Sequence, residues 1–160
     1  MFREKLEQAG GYSLQVAEPE QEFRRRYITS EVKARLHQRV FRERVLMAYK
    51  NECSLCRLKH TNLLEAAHIT PDSEADGEPR VSNGLSLCTI HHAAFDRNIL
   101  GISPDYMVKV REDILDEVDG QMLKHGIQAM HGERINIPRA ESDHPDKEVL
   151  DRRYQKFLAA

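Results

Sequence analysis

Two ligand pairs of identical spacing constrain the fold of this chain more than any other feature. Cys53-x2-Cys56 and Cys88-x2-His91 can each supply two ligands to a Zn²⁺ ion. A fold that brings the pairs together around the same ion completes a tetrahedral Cys3His site. The chain has three cysteines, and this odd number excludes complete disulfide pairing within the chain. All three fall in these two pairs. Both pairs stand at joints between predicted elements, where a bound ion adds stability that a small core lacks. The sequence therefore predicts a structural zinc site.

Two alternatives stay open for these residues. His92 and His60 are near enough in the sequence to replace His91 as the fourth ligand. Cys56 and Cys88 can also be interpreted as ordinary buried thiols, with Cys53 incidental, because free cysteine is among the most buried residue types.

The segment that contains these pairs predicts a strand, a loop, a strand and a helix in that order. Residues 63–69 are expected to form a short strand, residues 70–83 a turn-rich loop, and residues 84–88 an apolar returning strand. Thr89 is expected to cap a helix over residues 90–97. The predicted fold class is therefore α+β, with a ββα core and flanking helices.

A basic helix is predicted before the first ligand pair. Ser30 can cap it, and the helix should run to about Lys50, where Asn51 offers a left-handed C-cap. Apolar residues recur at helical spacing along it: Val32, Leu36, Val40, Phe41, Val45 and Tyr49. Residues 1–29, which include Gly10-Gly11, show no sustained period and are interpreted as an arm or linker.

The chain beyond the second ligand pair predicts a further hairpin and a closing helix. The hairpin over residues 100–110 should turn at Pro104-Asp105, followed by a helical piece near 112–129 and a strand at 135–137. Pro145-Asp146 should start the closing helix. Its body-facing side chains are Val149, Leu150, Tyr154 and Phe157.

These elements predict three regions along the chain. Residues 1–29 form the arm, residues 30–111 the core domain with its leading helix, and residues 112–160 a C-terminal extension that packs on the same domain.

Polar residues within the core segment fit the hydrolysis of a phosphodiester. His92 and Asp96 are four residues apart, hence on one helix face, and can share a divalent ion that neutralises the transition state. His68, near the end of the first strand, faces that pair in a ββα hairpin and suits a general base. Asn83 can use its amide to fix the loop that holds His68. Each residue alone has an ordinary structural explanation, and their order in one segment favours a nuclease.

These motifs resemble those of the HNH endonuclease family, over roughly residues 38–101. The strings that carry the resemblance are Ala66-Ala67-His68, Asn83-Gly84-Leu85, Cys88 and His91-His92-x3-Asp96. The resemblance implies that His68 is the general base, Asn83 the middle Asn of the motif, and His92 with Asp96 the ligands of the catalytic ion. The catalytic residues are then His68, Asn83 and His92, and the paired cysteines correspond to the zinc staple of many members.

One position departs from the family pattern. Many members place Asp or His directly before the base as a further metal ligand, and this chain has Ala67 there. The ion would then be held by two side chains, water and phosphate oxygens, which suits Mg²⁺ or Mn²⁺. Glu65 is expected, by strand alternation, to point away from His68, and it is not assigned as a ligand.

Basic residues are concentrated before the first ligand pair. Residues 24–50 hold nine Lys or Arg against two Glu, a local charge of about +7 within a chain whose net charge is −2. Arg35, Arg39 and Arg42 are the predicted contacts to DNA phosphates, with a solvated helix face as the alternative. No apolar run is long enough for a membrane span and no signal peptide is recognised, so a cytoplasmic location is expected.

The sequence thus predicts a metal-dependent endonuclease that acts on double-stranded DNA. Arg39-Val-Phe-Arg42, Ala-His-Ile-x-Pro and His-His-x-x-Phe-Asp look most like prokaryotic restriction-type HNH enzymes, which implies a role in restriction or defence. In such enzymes a separate domain often senses the target. A double-strand cut needs two such sites or two successive nicks. A homodimer would supply two sites and is one expectation. The alternatives are a zinc-stabilised DNA-binding module with a decayed site and, less favoured by the local charge, a zinc regulator without DNA contact.

Overall fold

The computed structural model of the protein describes residues 17–74 and 77–160. The chain divides into two units, residues 1–38 and residues 39–160. The interpretation of Gly10-Gly11 as part of an arm lies outside the described residues, as do Ala75 and Asp76 of the predicted loop over residues 70–83. The predicted region boundaries after residues 29 and 111 stay predictions.

The leading helix, α1, spans Ala17–Ala48 and begins well before the predicted start at Ser30. Two exposed ion pairs of i,i+4 spacing support the extra turns. They join Glu20 to Arg24 at 3.3 Å and Glu22 to Arg26 at 2.6 Å. Ser30 caps nothing, because it lies inside the helix and its hydroxyl donates to the carbonyl of Tyr27. The predicted C-terminal end is confirmed, since Lys50 and Asn51 both take φ near 55° beyond the last turn.

A two-stranded sheet and a short helix follow. Strand β1 (Leu64–His68) pairs antiparallel with β2 (Gly84–Cys88), and α2 (Thr89–Asp96) leads directly out of β2. The two strands lie within their predicted ranges, and the elements follow in the predicted order. Thr89 is already helical, and Cys88 takes the N-cap position without a side-chain cap bond, so the predicted cap was wrong by one residue.

The second half of the chain is less regular than predicted. The expected hairpin is present as β3 (Leu100–Ile102) and β4 (Val108–Val110), which pair antiparallel. The predicted helix near 112–129 is broken into α3 (Glu112–Asp116) and a π-helical segment, Met122–Ile127. The predicted strand at 135–137 is absent from this described region, where an isolated bridge joins Arg134 to Met107.

The chain closes with helix α4, Lys147–Leu158, whose predicted start is confirmed. The carboxylate of Asp146 accepts hydrogen bonds from the backbone N–H groups of Glu148 and Val149, as an N-cap does. Short 3-10 turns lie at Thr61–Leu63, Val81–Asn83, Gln128–Met130 and Glu141–Asp143. In the described part of the chain no helix is both long and apolar enough to cross a bilayer.

The end of α1 packs tightly against the first hairpin. Phe41, Val45 and Tyr49 are buried, and the hydroxyl of Tyr49 donates to the carbonyl of Gly84. Phe41 and Val45 approach Gly84 so closely that an added Cβ would lie 2.5 Å from a Val45 methyl carbon and 2.9 Å from the Phe41 ring. Because Gly84 is the register partner of His68, this contact sets the position of the strand end that carries His68.

We expect Gly84→Ala to destabilise the protein by about 1–3 kcal/mol, because the new methyl overpacks the contact with α1. Urea unfolding measures the change. Gly120→Ala is the matched control, since an added Cβ there meets nothing within 4 Å. Equal unfolding midpoints for the two variants would refute the close contact.

Candidate functional site

The four residues of the predicted zinc site come together in the structure. The thiols of Cys53, Cys56 and Cys88 and a ring nitrogen of His91 all lie within 4.8 Å of one another. His91 Nδ1 is 3.5 Å from Cys53 Sγ and 3.2 Å from Cys88 Sγ. Donors about 2.1–2.3 Å from a tetrahedral Zn²⁺ are roughly 3.5–3.8 Å apart, so the cluster has the dimensions of a metal site.

The ring of His91 is oriented for ligation through Nδ1. Its Nε2 lies 2.6 Å from the carbonyl oxygen of Gly126, which accepts a hydrogen bond and leaves Nδ1 without a proton. Hydrogen bonds from Cys53 and Cys56 hold the pKa of the Cys88 thiol far below its ordinary value, so the cluster stabilises a thiolate. His60 is exposed and His92 has other partners, so neither belongs to the group.

Of the residues predicted for the reaction, His68, His92 and Asp96 line one cavity of about 510 Å³, whereas Asn83 does not. His68 reaches it from the end of β1, and His92 and Asp96 reach it from one face of α2. The wall is completed by Asp72 and Asn98 and, from α4, by Arg153 and Lys156. The cavity therefore joins a histidine from the hairpin to a histidine and a carboxylate from the helix.

His68 is a half-buried, neutral histidine. Its ring stacks on Phe41, with centroids 4.0 Å apart and an angle of 18° between the planes. Its Nε2 is buried and has no hydrogen-bond partner among the described residues. Burial lowers the pKa of His68 below the ordinary 6.5, and the neighbouring His92 adds to this while Asp72 opposes it. The imidazole is thus uncharged at neutral pH and able to accept a proton.

His92 lies between two carboxylates. Its Nε2 is 3.3 Å from Asp96 Oδ2, and its Nδ1 contacts Glu65 Oε2 from β1. As strand alternation predicted, Glu65 does not line the cavity with His68, but its carboxylate still reaches His92. A long carboxylate side chain reaches α2 even though the strand alternates, because α2 packs beside β1. The signal in the sequence was a single acidic residue within the short segment Leu64–His68.

Asn83 is completely buried and bonds the loop that follows β1. Its Oδ1 accepts from the backbone N–H of Thr70 at 2.9 Å. Its amide nitrogen donates to the carbonyls of Thr70 at 3.1 Å and of Glu78 at 3.2 Å. The side chain therefore fixes the backbone two residues beyond His68.

The three arginines predicted to contact DNA have different surroundings. Arg35 and Arg39 are exposed and form i,i+4 ion pairs, with Glu31 at 3.9 Å and with Glu43 at 3.0 Å. Arg42 donates to the carbonyls of Thr61 and Leu64 at 3.0 and 2.9 Å, so its guanidinium anchors the start of β1 to α1. None of the three lines the cavity. Its cationic wall instead comes from Arg153 and Lys156, which sequence reasoning did not single out.

Comparison with known proteins identifies the same segment. Residues 53–103 match the family model described as HNH endonuclease. A solved structure described as a modification-dependent TagI restriction endonuclease is 22% identical, with a TM-score of 0.49. The alignment covers 72% of this chain and 36% of that one, so the chain spans about a third of that enzyme's length. No curated protein matches the chain.

We expect Asn83→Ala to lower the free energy of unfolding by about 2–4 kcal/mol, because it leaves buried polar groups of Thr70 unpaired. Chemical denaturation measures the loss. Asn62→Ala, at an exposed position in the turn before β1, is the control and should cost less than about 0.5 kcal/mol. A similar small cost for both variants would mean that Asn83 does not fix the loop.

Proposed function

We propose that this protein is a metal-dependent endonuclease that hydrolyses DNA phosphodiester bonds. The observation that carries the proposal is the shared cavity, which His68 lines together with His92 and Asp96. The match of residues 53–103 to the HNH endonuclease model supports the same reaction class. The substrate of the proposal is double-stranded DNA.

Zn²⁺ is the proposed structural ion of the Cys3His cluster. Three thiols and one imidazole form a soft donor set that zinc prefers, and none of the four lines the catalytic cavity. The cluster joins the turn after α1, the junction of β2 with α2, and the π-helical segment through Gly126. The proposed role is therefore to stabilise the fold.

Mg²⁺ or Mn²⁺ is the proposed catalytic ion, held by His92 Nε2 and Asp96 Oδ2. Their separation of 3.3 Å is near the roughly 3.0 Å expected for adjacent donors around an octahedral ion. Glu65 accepts the Nδ1 proton of His92, which leaves Nε2 as the ligating nitrogen. When bound, such an ion neutralises charge on the phosphate and the leaving oxygen.

His68 is the proposed general base. The attacking water loses a proton to the neutral imidazole, whose pKa is kept low by burial. Stacking on Phe41 and the loop bonds of Asn83 hold the ring in place, so the catalytic role of Asn83 is positioning.

The biological setting is proposed from the motif resemblance. It favours restriction or defence against foreign DNA in the cytoplasm, with cleavage that leaves 5′-phosphate ends. A homodimer and a separate target-sensing domain belong to this proposal. So do DNA contacts by Arg35 and Arg39 on α1 and the three-region organisation of the chain.

A DNA-binding module without cleavage is the second candidate, and Ala67 is the observation that favours it. This residue precedes the base, is fully buried and offers no ligand atom, so the catalytic ion has two protein donors. The second candidate predicts salt-dependent DNA binding that is unchanged by Mg²⁺ and no strand cleavage.

We expect the purified protein to nick supercoiled plasmid with Mg²⁺ or Mn²⁺, and His68→Ala to slow nicking by about 10²–10⁴-fold through loss of the base. Gel analysis of nicked product over time measures the rate. His125→Ala removes an exposed imidazole outside the cavity and is the matched control. Cleavage by His68→Ala at the wild-type rate would contradict the assignment of the base, and no cleavage with any metal would favour the second candidate.

We expect one zinc per chain, because the Cys3His cluster supplies one tetrahedral set of donors. Elemental analysis of the purified protein measures the content. Cys88→Ser should lose the zinc and unfold at a lower temperature, whereas His68→Ala, which removes no ligand of the cluster, should keep the zinc. A zinc content that persists in Cys88→Ser would exclude this cluster as the site.

A further inference from the structure

The C-terminal helix supplies two cations to the wall of the catalytic cavity. Arg153 and Lys156 are three residues apart on α4 and line the same cavity as His68, His92 and Asp96. The predicted role of this helix was to close the fold through its apolar face. The structure adds a polar edge that faces the proposed site of hydrolysis.

Arg153 is held rigidly by contacts that leave part of its guanidinium free. Nη1 donates to Asn98 Oδ1 at 2.5 Å, and Nη2 donates to the carbonyl of Phe95 at 2.6 Å. The guanidinium carbon lies 4.7 Å from the centre of the Phe95 ring, a cation–π distance. A guanidinium has five N–H donors, so three remain after these two bonds.

Within the described ranges, residues 17–74 and 77–160, Arg153 forms no direct ion pair. Among the residues that the structure describes, no carboxylate lies within 4.0 Å of its nitrogens, although Asp96 and Glu74 act on it at longer range. A half-buried cation that is fixed beside a cavity and lacks a carboxylate partner is suited to binding an anion. The planar fork of arginine matches two oxygens of one phosphate.

Lys156 is held less firmly. Its ammonium lies 2.8 Å from Glu74 Oε1, and both side chains are about half exposed. An exposed ion pair of this kind contributes little stability, so a phosphate can replace the carboxylate as the partner of Lys156. The two cations thus offer one fixed and one adjustable contact on the same wall.

We propose that Arg153, assisted by Lys156, binds a backbone phosphate of the DNA strand that enters the cavity. The inference rests on the proposed function, because it names the residues that hold the substrate of that reaction. It places the phosphate contact nearest to the chemistry on α4, whereas Arg42 of α1 is occupied by backbone carbonyls. Arg153 is then a substrate-binding residue that leaves proton transfer to His68.

A purely structural role for Arg153 is the competing explanation, since its bonds join α4 to the end of α2. Arg134 offers a matched control for that role. Its guanidinium also lies over an aromatic ring, 5.5 Å from the centre of Tyr106, and also donates to a carbonyl, that of Asp105. Arg134 does not line the cavity.

The test measures the affinity of a fluorescein-labelled duplex for the non-cleaving His68→Ala protein across a salt series. Adding Arg153→Gln should weaken binding by about tenfold or more and lower the slope of log affinity against log salt by about 0.9, the value for one phosphate contact. Adding Arg134→Gln should change affinity by less than about twofold and leave the slope unchanged. Unchanged affinity and slope in Arg153→Gln would overturn the inference.

A second pair of variants covers the case in which Arg153→Gln does not fold, which thermal unfolding reveals. Arg153→Lys keeps the charge but loses the fork, so affinity should fall while the salt slope stays close to the parent value. Lys156→Gln, at an exposed position, should lower both affinity and slope. Parent-like binding by both variants would overturn the inference.

The outcomes separate this inference from the proposed function. Plasmid nicking by the wild type together with unchanged binding by Arg153→Gln would refute the inference alone. Failure of the wild type to nick, together with weakened binding by Arg153→Gln, would refute hydrolysis and support the phosphate contact.

Discussion

The clustering of three thiols and one imidazole is the constraint on which the rest of the structure depends. It ties together parts of the chain that are far apart in sequence: the turn at Cys53, the β2–α2 junction at Cys88 and His91, and the carbonyl of Gly126. An ion bound by this cluster would fix the direction in which α2 leaves the sheet. That direction decides which face of α2 is turned toward His68.

The two histidines of the cavity have different surroundings, which suit the different roles proposed for them. His68 is stacked on Phe41 and partly buried, which keeps it neutral and suited to accept a proton. His92 is placed between Glu65 and Asp96, whose charges favour its use as a ligand in which one nitrogen is fixed by a carboxylate. In the proposed reaction, one cavity therefore supplies both the base and the ion-binding pair.

The structural elements that the sequence predicted correctly are those that depend on residues close together in the chain. The strands β1 and β2, the helix α2, the turn at Asn51 and the cap at Asp146 each follow from short patterns of apolar, turn and capping residues. The start of α1 was missed, because its first turns are supported by charged pairs without an apolar face. The strand expected at 135–137 was missed because its neighbours offer only one isolated bridge.

By itself the sequence determined the ligand pairs, the order of the core elements and the positions of His68, His92 and Asp96, because each depends on spacing along one short segment. Only the tertiary structure decided which side chains from different segments contact one another. The contact of Glu65 with His92 and the bonds of Arg42 and Arg153 to backbone carbonyls join residues 19 to 58 positions apart. The same packing brings α4 to the cavity that β1 and α2 also line. Such contacts depend on how packed elements close on one another, which no local pattern encodes.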